Sequence, residues 1–278
     1  MALLNGRVAI ITGASRGIGA AIARRFAAES ANVAIVARTV EAGDSSLAGS
    51  LAETAALIQA GGGECLSIGA NLADPADRSR IVAETVAHFG RLDILVNNAA
   101  WSRFVPIWEA QPKHFHLAFE MNVHAPQQLS QQALPHLREQ GEGWILNISS
   151  ATADMPPPAP YDPDDRYVRF NRDGHATLYG TTKAALDRLT AGWAVELSRE
   201  KIAVNSLAPV GAVASEGALS VGGWDERDHL EPVEAMAEAA LQLCHRPASE
   251  LSGNIVRSLR LLERLNVPVR ALDGSLVV

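Results

Sequence analysis

Cysteine is nearly absent from this chain of 278 residues: Cys65 and Cys244 are the only two, and they share no paired spacing. That speaks against a disulfide framework. Each reads as a buried structural thiol, a reducing compartment suits them, and no metal site is expected. No apolar run approaches the roughly 20 residues of a membrane span. Positive charge is in deficit, with 24 Lys and Arg against 31 Asp and Glu and a net charge of −7. A general nucleic-acid or anionic-membrane binder is therefore not expected. Nor is there room for a signal peptide, because Val8, Ala9, Ile10 and Ile11 already read as a strand that runs into glycines. A cytoplasmic protein is expected. No internal repeat or low-complexity tract is visible.

The hydrophobic fraction is 47%, enough for a sizeable core, and the length suits one large parallel α/β domain. Strand and helix patterns alternate throughout. Strands are expected at residues 7–12, 32–38, 65–69, 93–96, 144–148 and 203–207, with a last one at 254–259. Helices are expected at 20–31, 51–60, 75–89, 112–137, 179–199 and 232–244. Residues 156–174, rich in proline and charge, and 209–228 are expected to be loops. The alternation implies a doubly wound, three-layer α/β/α sandwich around a parallel sheet, in a single domain spanning 1–278.

The first strand ends in Thr12-Gly13-Ala14-Ser15-Arg16-Gly17-Ile18-Gly19, and a helix follows at once. Glycines there let the backbone turn tightly and approach a pyrophosphate at a helix N-terminus. The second strand ends in Ala37 and Arg38 with no acidic residue at its tip. An acid there would bond a ribose 2′-hydroxyl, whereas arginine accommodates a 2′-phosphate. The expected cofactor is NADP(H), with Arg16 as a second positive charge. Asn97-Asn98-Ala99-Ala100 follows the fourth strand, where ligands sit in open parallel sheets. Trp101 and Phe104, just beyond, read either as loop packing or as an apolar wall beside a substrate. Asn122 lies inside a helical pattern, where a lone asparagine is unfavourable without a partner.

Tyr179 and Lys183 stand one helical turn apart on one face. Such pairs are ordinarily plain neighbours, but a nearby ammonium lowers a phenol pKa and so builds an acid/base group near neutrality. The expectation is a depressed Tyr179 pKa.

Taken together, residues 5–257 resemble the short-chain dehydrogenase/reductase family in its single-domain branch. Thr12-Gly13-x-x-x-Gly17-Ile18-Gly19 resembles its cofactor turn and Asn97-Asn98-Ala99-Ala100 its Asn-Asn-Ala-Gly motif. Asn122, Ser150, Tyr179 and Lys183 fall in the order of its catalytic tetrad. The resemblance implies an NADP(H)-dependent oxidoreductase interconverting a carbonyl and an alcohol. An NAD(H)-dependent dehydrogenase and a non-catalytic cofactor-binding scaffold are the alternatives. Tyr179 would exchange the proton and Lys183 would lower its pKa and hold the nicotinamide ribose. Ser150 would bond the substrate oxygen, with Ser149 its rival, and Asn122 would hold a water. Gly13, Ser15, Arg16, Gly17, Ile18, Gly19, Arg38, Asn71, Leu72, Asn98, Ala99, Pro209 and Val213, together with Tyr179 and Lys183, would contact the cofactor. A homodimer or homotetramer built partly from the Asn122 and Tyr179 helices is implied.

Four departures stand out. Asn71 replaces the family's aspartate near the adenine. Pro209-Val210-Gly211 carries one residue more than its Pro-Gly, which leaves Ala212 or Val213 at the carboxamide. The segment 151–178 is unusually long and is expected to shape the substrate pocket, with His175 a bystander. The tail 258–278 lacks the usual ending and is read as packing onto a neighbouring subunit.

Overall fold

The computed structural model describes residues 2–216 and 230–276. Strands β1 (Val8–Thr12), β2 (Asn32–Ala37), β3 (Cys65–Gly69), β4 (Ile94–Asn97), β5 (Gly143–Ile148), β6 (Ile202–Ala208) and β9 (Ile255–Arg257) form one sheet. Its order is β3-β2-β1-β4-β5-β6-β9, and every pairing is parallel. Two short strands, β7 (Ala212–Val213) and β8 (Leu230–Glu231), pair separately. The order reverses between β1 and β4, so a crevice opens at the carboxyl ends of the strands there.

Helices cover both faces because the strands bury both sets of side chains. Ala9 and Ile11 of β1, with Trp144 and Leu146 of β5, face a core with Ile22 and Phe26 of α1 (Gly17–Ala28) and Met236 and Leu241 of α8 (Val233–His245). Val8, Ile10 and Ile145 face the opposite core. There they meet Ile81 of α3 (Pro75–Phe89), Leu129 of α5 (Ala125–Gln140) and Ala194 of α7 (Thr177–Glu196). This is period-two alternation in strands buried on both sides. Helix α2 (Leu51–Ala60) is capped by Ser50, which accepts from the Glu53 N–H.

The expected helix 112–137 is interrupted. It divides into α4 (Pro112–Phe119), a π turn (Glu120–His124) and α5. Proline explains the break, since Pro126 has no N–H for the Asn122 carbonyl four residues back and its ring crowds that carbonyl. A second correction lies within 156–174. Proline ends at Pro163, and Asp165 then caps a short helix, α6 (Arg166–Arg172), by accepting from the Tyr167 and Val168 N–H groups. The last strand stops at Arg257, because Ser258 opens α9 (Ser258–Leu265). The tail closes on its own chain: Leu261 and Leu262 are buried in the first core, and Val267, Val269 and Leu272 pack against it. Part of the loop expected at 209–228 lies outside the described residues. Among those described, no helix is long and apolar enough to cross a membrane.

Candidate active site

The turn after β1 is built so that only glycine fits. Gly13 and Gly17 have φ of +69° and +56°, a region that disfavours side chains. A Cβ on Gly19 would stand 2.4 Å from the Gly13 carbonyl oxygen. Asn98 braces the turn from β4: its Nδ2 donates to the carbonyls of Thr12 (2.8 Å) and Gly13 (3.2 Å). The Thr12 hydroxyl accepts from the Asn98 and Ala99 N–H groups, both at 3.0 Å. Asn98 and Ala99, expected at the cofactor, thus hold the shape of the turn that would receive it. Ser15 is buried within it, and Ile18 packs on the core behind. The bare backbone and the N-terminus of α1, which no side chain caps among the described residues, fit a pyrophosphate.

Arg16 is held by its own chain through Nε and Nη2. Its guanidinium donates to the carbonyls of Ala48 (2.6 Å), Leu47 (3.2 Å) and Gly49 (2.7 Å). It therefore pins the 47–49 loop onto the turn and has few donors left for a phosphate. Arg38 is exposed at the end of β2 and makes no hydrogen bond or ion pair among the described residues. Asn71, beyond β3, uses its side-chain oxygen to accept from the Ala73 N–H at 3.2 Å, an Asx turn that occupies one lone pair. Leu72 beside it is buried.

On the other side of the crevice, α7 lies against the turn that follows β5. Gly180 makes this approach possible, because a Cβ there would stand 2.3 Å from the Thr152 carbonyl oxygen. Glycine inside a helix costs about 1 kcal/mol, so its presence between Tyr179 and Lys183 marks a close packing. Lys183 is buried, at 2% exposure. Its Nζ donates to the Ile148 carbonyl at 2.7 Å and lies 5.6 Å from the centre of the Tyr179 ring. Ser150 accepts from the Thr152 N–H (3.2 Å) and hydroxyl (2.9 Å). Both its lone pairs are thereby engaged, and its own hydrogen is left to donate. Ser149 is buried behind it. Phe104 meets the Tyr179 ring edge-on at 5.7 Å, which favours the apolar wall over mere loop packing for this residue.

Asn122 has found its partners. Its side chain exchanges two hydrogen bonds with the Trp101 backbone (2.8 and 2.9 Å) and donates to Thr182, the neighbour of Lys183, at 2.9 Å. Both amide hydrogens are taken, which leaves the second lone pair of the side-chain oxygen and the backbone carbonyl, which Pro126 cannot bond, as acceptors for a water.

The depressed phenol pKa is not found. Burial pushes Tyr179 up to about 12. It drives Lys183 down to about 8, against the pull of Asp187 one turn further on. The Lys183 ammonium is directed at a carbonyl, and burial alone accounts for the shift of the phenol. Asp187 is itself raised by burial, although the Ser206 hydroxyl donates to it at 2.5 Å. Past β6, Pro209 and Val213 are buried, with Val213 paired to Glu231. One contact was invisible in the sequence. The Ser215 Cβ comes within 3.2 Å of where a Gly17 Cβ would be, so the segment after β7 overlies the glycine turn. His175, with φ of +49°, has its ring 6.1 Å from that of Trp108.

A parallel sheet with a glycine cradle at its reversal point, and a tyrosine and a lysine across the crevice, defines a dinucleotide-binding oxidoreductase. The model of the short chain dehydrogenase family matches residues 7–161. An uncharacterized oxidoreductase of Methylorubrum extorquens is 35% identical over 222 residues, 80% of this chain and 79% of the other. A hydroxynaphthalene reductase of Aspergillus fumigatus is 32% identical over 260 residues, 92% of this chain and 86% of the other. A short chain dehydrogenase from Burkholderia cenocepacia, solved in complex with NADP, superposes with a TM-score of 0.73 at 29% identity, over 91% of this chain and 96% of the other. The chain belongs to the short-chain dehydrogenase/reductase family and is an oxidoreductase of that family.

Proposed function

We propose that the protein is an NADP(H)-dependent oxidoreductase that interconverts a ketone or aldehyde with an alcohol on an apolar substrate. The observation that carries this reading is the bond from Lys183 to the Ile148 carbonyl, which seats Tyr179 and Lys183 beside Ser150 at the carboxyl edge of the sheet. When bound, the nicotinamide supplies or accepts the hydride. Tyr179 gives its phenolic proton to the carbonyl oxygen in reduction and recovers one from the alcohol in oxidation. Ser150 donates its remaining hydrogen to the same oxygen, where negative charge develops. Lys183 holds the nicotinamide ribose and provides a cation near the phenol. The Asn122 carbonyl, which Pro126 cannot bond, holds a water that passes protons to Lys183.

The glycine turn, with Ser15 and Ile18, receives the pyrophosphate. Asn71 and Leu72 border the adenine, and Pro209 and Val213 border the nicotinamide end. NADP(H) over NAD(H) rests on Arg38, exposed at the end of β2 and without a hydrogen bond or ion pair among the described residues, which leaves it available to a 2′-phosphate. The Burkholderia cenocepacia neighbour, solved with NADP, supports it. A second reading, NAD(H), draws on Asp44, whose carboxylate accepts from the Val40 and Glu41 N–H groups just past Arg38 at 3.1 and 2.9 Å. An apolar substrate is read from Phe104 against the Tyr179 ring, and the Aspergillus fumigatus relative is named a hydroxynaphthalene reductase. Assembly as a homodimer or homotetramer through α5 and α7, in the cytoplasm, completes the reading; light scattering tests the assembly.

The decisive assay follows nicotinamide absorbance with NADPH or NADH and a panel of aryl and aliphatic ketones. Turnover is expected, faster with NADPH. Tyr179→Phe should lower it by about a hundredfold or more while NADPH still binds. Cofactor binding with no turnover across the panel would defeat the enzymatic reading, and unaffected turnover in Tyr179→Phe would defeat the mechanism.

A further inference from the structure

The two places where this chain is longer than its family pattern meet at one residue. Val210 is the extra residue after β6, and α6 is the helix inserted before α7. Arg166, the first residue of α6, donates from Nη2 to the Val210 carbonyl. Its guanidinium lies 5.4 Å from the ring centres of both Tyr167 and Phe170, which steadies the planar fork. On the other side, the Val210 N–H donates to the Glu231 carboxylate. That carboxylate is buried, and the Ser258 hydroxyl reaches its two oxygens at 2.7 and 2.9 Å. Both polar groups of one backbone residue are therefore held by charges of the matching sign.

The contacts continue into a closed circuit. Arg257, next to Ser258, pairs with Asp154 at 2.6 Å. Asp154 in turn accepts from the Tyr167 hydroxyl at 2.7 Å, which leads back to α6. Each anion in the circuit is met by a donor, and no link depends on an exposed lysine. An inert surface excursion would not be tied at both ends to β9 and to the loop after β6. Two residues beyond Val210, β7 begins, with Ala212 opposite Leu230 and Val213 opposite Glu231. The clamp on Val210 thus stands directly before the Ala212–Val213 strand.

Resting on the nicotinamide-dependent activity proposed above, we propose that Arg166 is a positioning residue for the nicotinamide end of the cofactor. Acting with Glu231, it holds the Val210 backbone so that the Ala212–Val213 segment meets the carboxamide. The inserted helix thereby serves cofactor geometry and does not only line a substrate pocket.

The test compares NADPH with adenosine 2′,5′-bisphosphate, which carries the adenine end and no nicotinamide. Binding of each is measured calorimetrically to the wild type, Arg166→Ala and Arg166→Lys. Arg166→Ala is expected to weaken NADPH about tenfold, the effect of one lost charged hydrogen bond, while the bisphosphate binds within twofold of the wild type. Arg166→Lys, which keeps one cationic donor, should recover part of the loss. Equal weakening of both probes would mean a merely structural role and would overturn the proposal, as would unchanged NADPH binding. If Arg166→Ala does not fold, Tyr167→Phe removes the brace from Asp154. It should show the same selective loss at smaller size, and an equal or absent effect on the two probes refutes the clamp. A wild type that binds neither NADPH nor NADH defeats the proposed activity as well. Wild-type turnover together with an unchanged ratio of the two affinities in the variants defeats the clamp alone.

Discussion

Replacing Lys183 with methionine should make the protein more stable and inactive at once. The side chain is 2% exposed, and burial lowers its pKa from 10.5 to about 8. At about 1.4 kcal/mol per pH unit, keeping the ammonium charged at pH 7 costs the fold roughly 3 kcal/mol. Methionine fills a similar volume without charge. The substitution also leaves the Ile148 carbonyl without its 2.7 Å donor and removes a cation near Asp187, which together give back about 1 kcal/mol. The net expectation at pH 7 is a gain of about 2 kcal/mol, or roughly 5 °C in Tm for a chain of this size. The pH dependence carries the sign. Between pH 8 and 10.5 the unfolded lysine is still protonated while the folded one is not, so the wild type gains stability as pH rises. The gap to Lys183→Met is full below pH 8 and closes by about pH 10.5, where the variant falls level with or below the wild type. Urea unfolding at pH 7, 9 and 10.5 measures it. A variant less stable than the wild type at pH 7, or a gap that ignores pH, would refute the reasoning.

Carbonyl reduction by the wild type should fall as pH rises through about 8, where Lys183 loses its charge while Tyr179, near 12, stays protonated. Steady-state kcat/KM from pH 6 to 10 measures this, and a flat profile contradicts it. Gly180→Ala would place a Cβ 2.3 Å from the Thr152 carbonyl oxygen. It should cost about 1–3 kcal/mol in urea unfolding and lower kcat by displacing Tyr179. Arg38→Asp should weaken NADPH at least tenfold (about 1.4 kcal/mol or more) and spare NADH. An unchanged preference in competitive binding would remove Arg38 from the 2′-phosphate site.

The parts of the fold that could be read from the letters are those set by local pattern. The parallel sheet follows from apolar runs alternating with amphipathic ones, and the ends of the first six strands fell within about one residue, as with β4 at Ile94–Asn97 and β6 at Ile202–Ala208. The glycine turn was legible because left-handed backbone leaves few residues to choose from. Helix α6 was hidden because proline and charge read as loop. Its cap, Asp165, needs only the two N–H groups that follow it, but its stability comes from Arg166 reaching Val210 and Tyr167 reaching Asp154. The break at Asn122 had a local signal in Pro126, four residues on, that the helical periodicity masked.

Sequence alone settled the family, the order of the six main strands and the helices between them, and the residue types available for proton exchange, because these depend on spacing along the chain. Tertiary structure decided what those residues are free to do. Arg16 reads as a phosphate ligand, and the 47–49 carbonyls claim its Nε and Nη2, leaving only Nη1 to a ligand. Tyr179 reads as a softened acid until burial raises its pKa and aims the Lys183 ammonium at Ile148. Hydrogen-bond capacity and charge are finite, and only the folded chain shows which neighbours, distant in sequence, use them first.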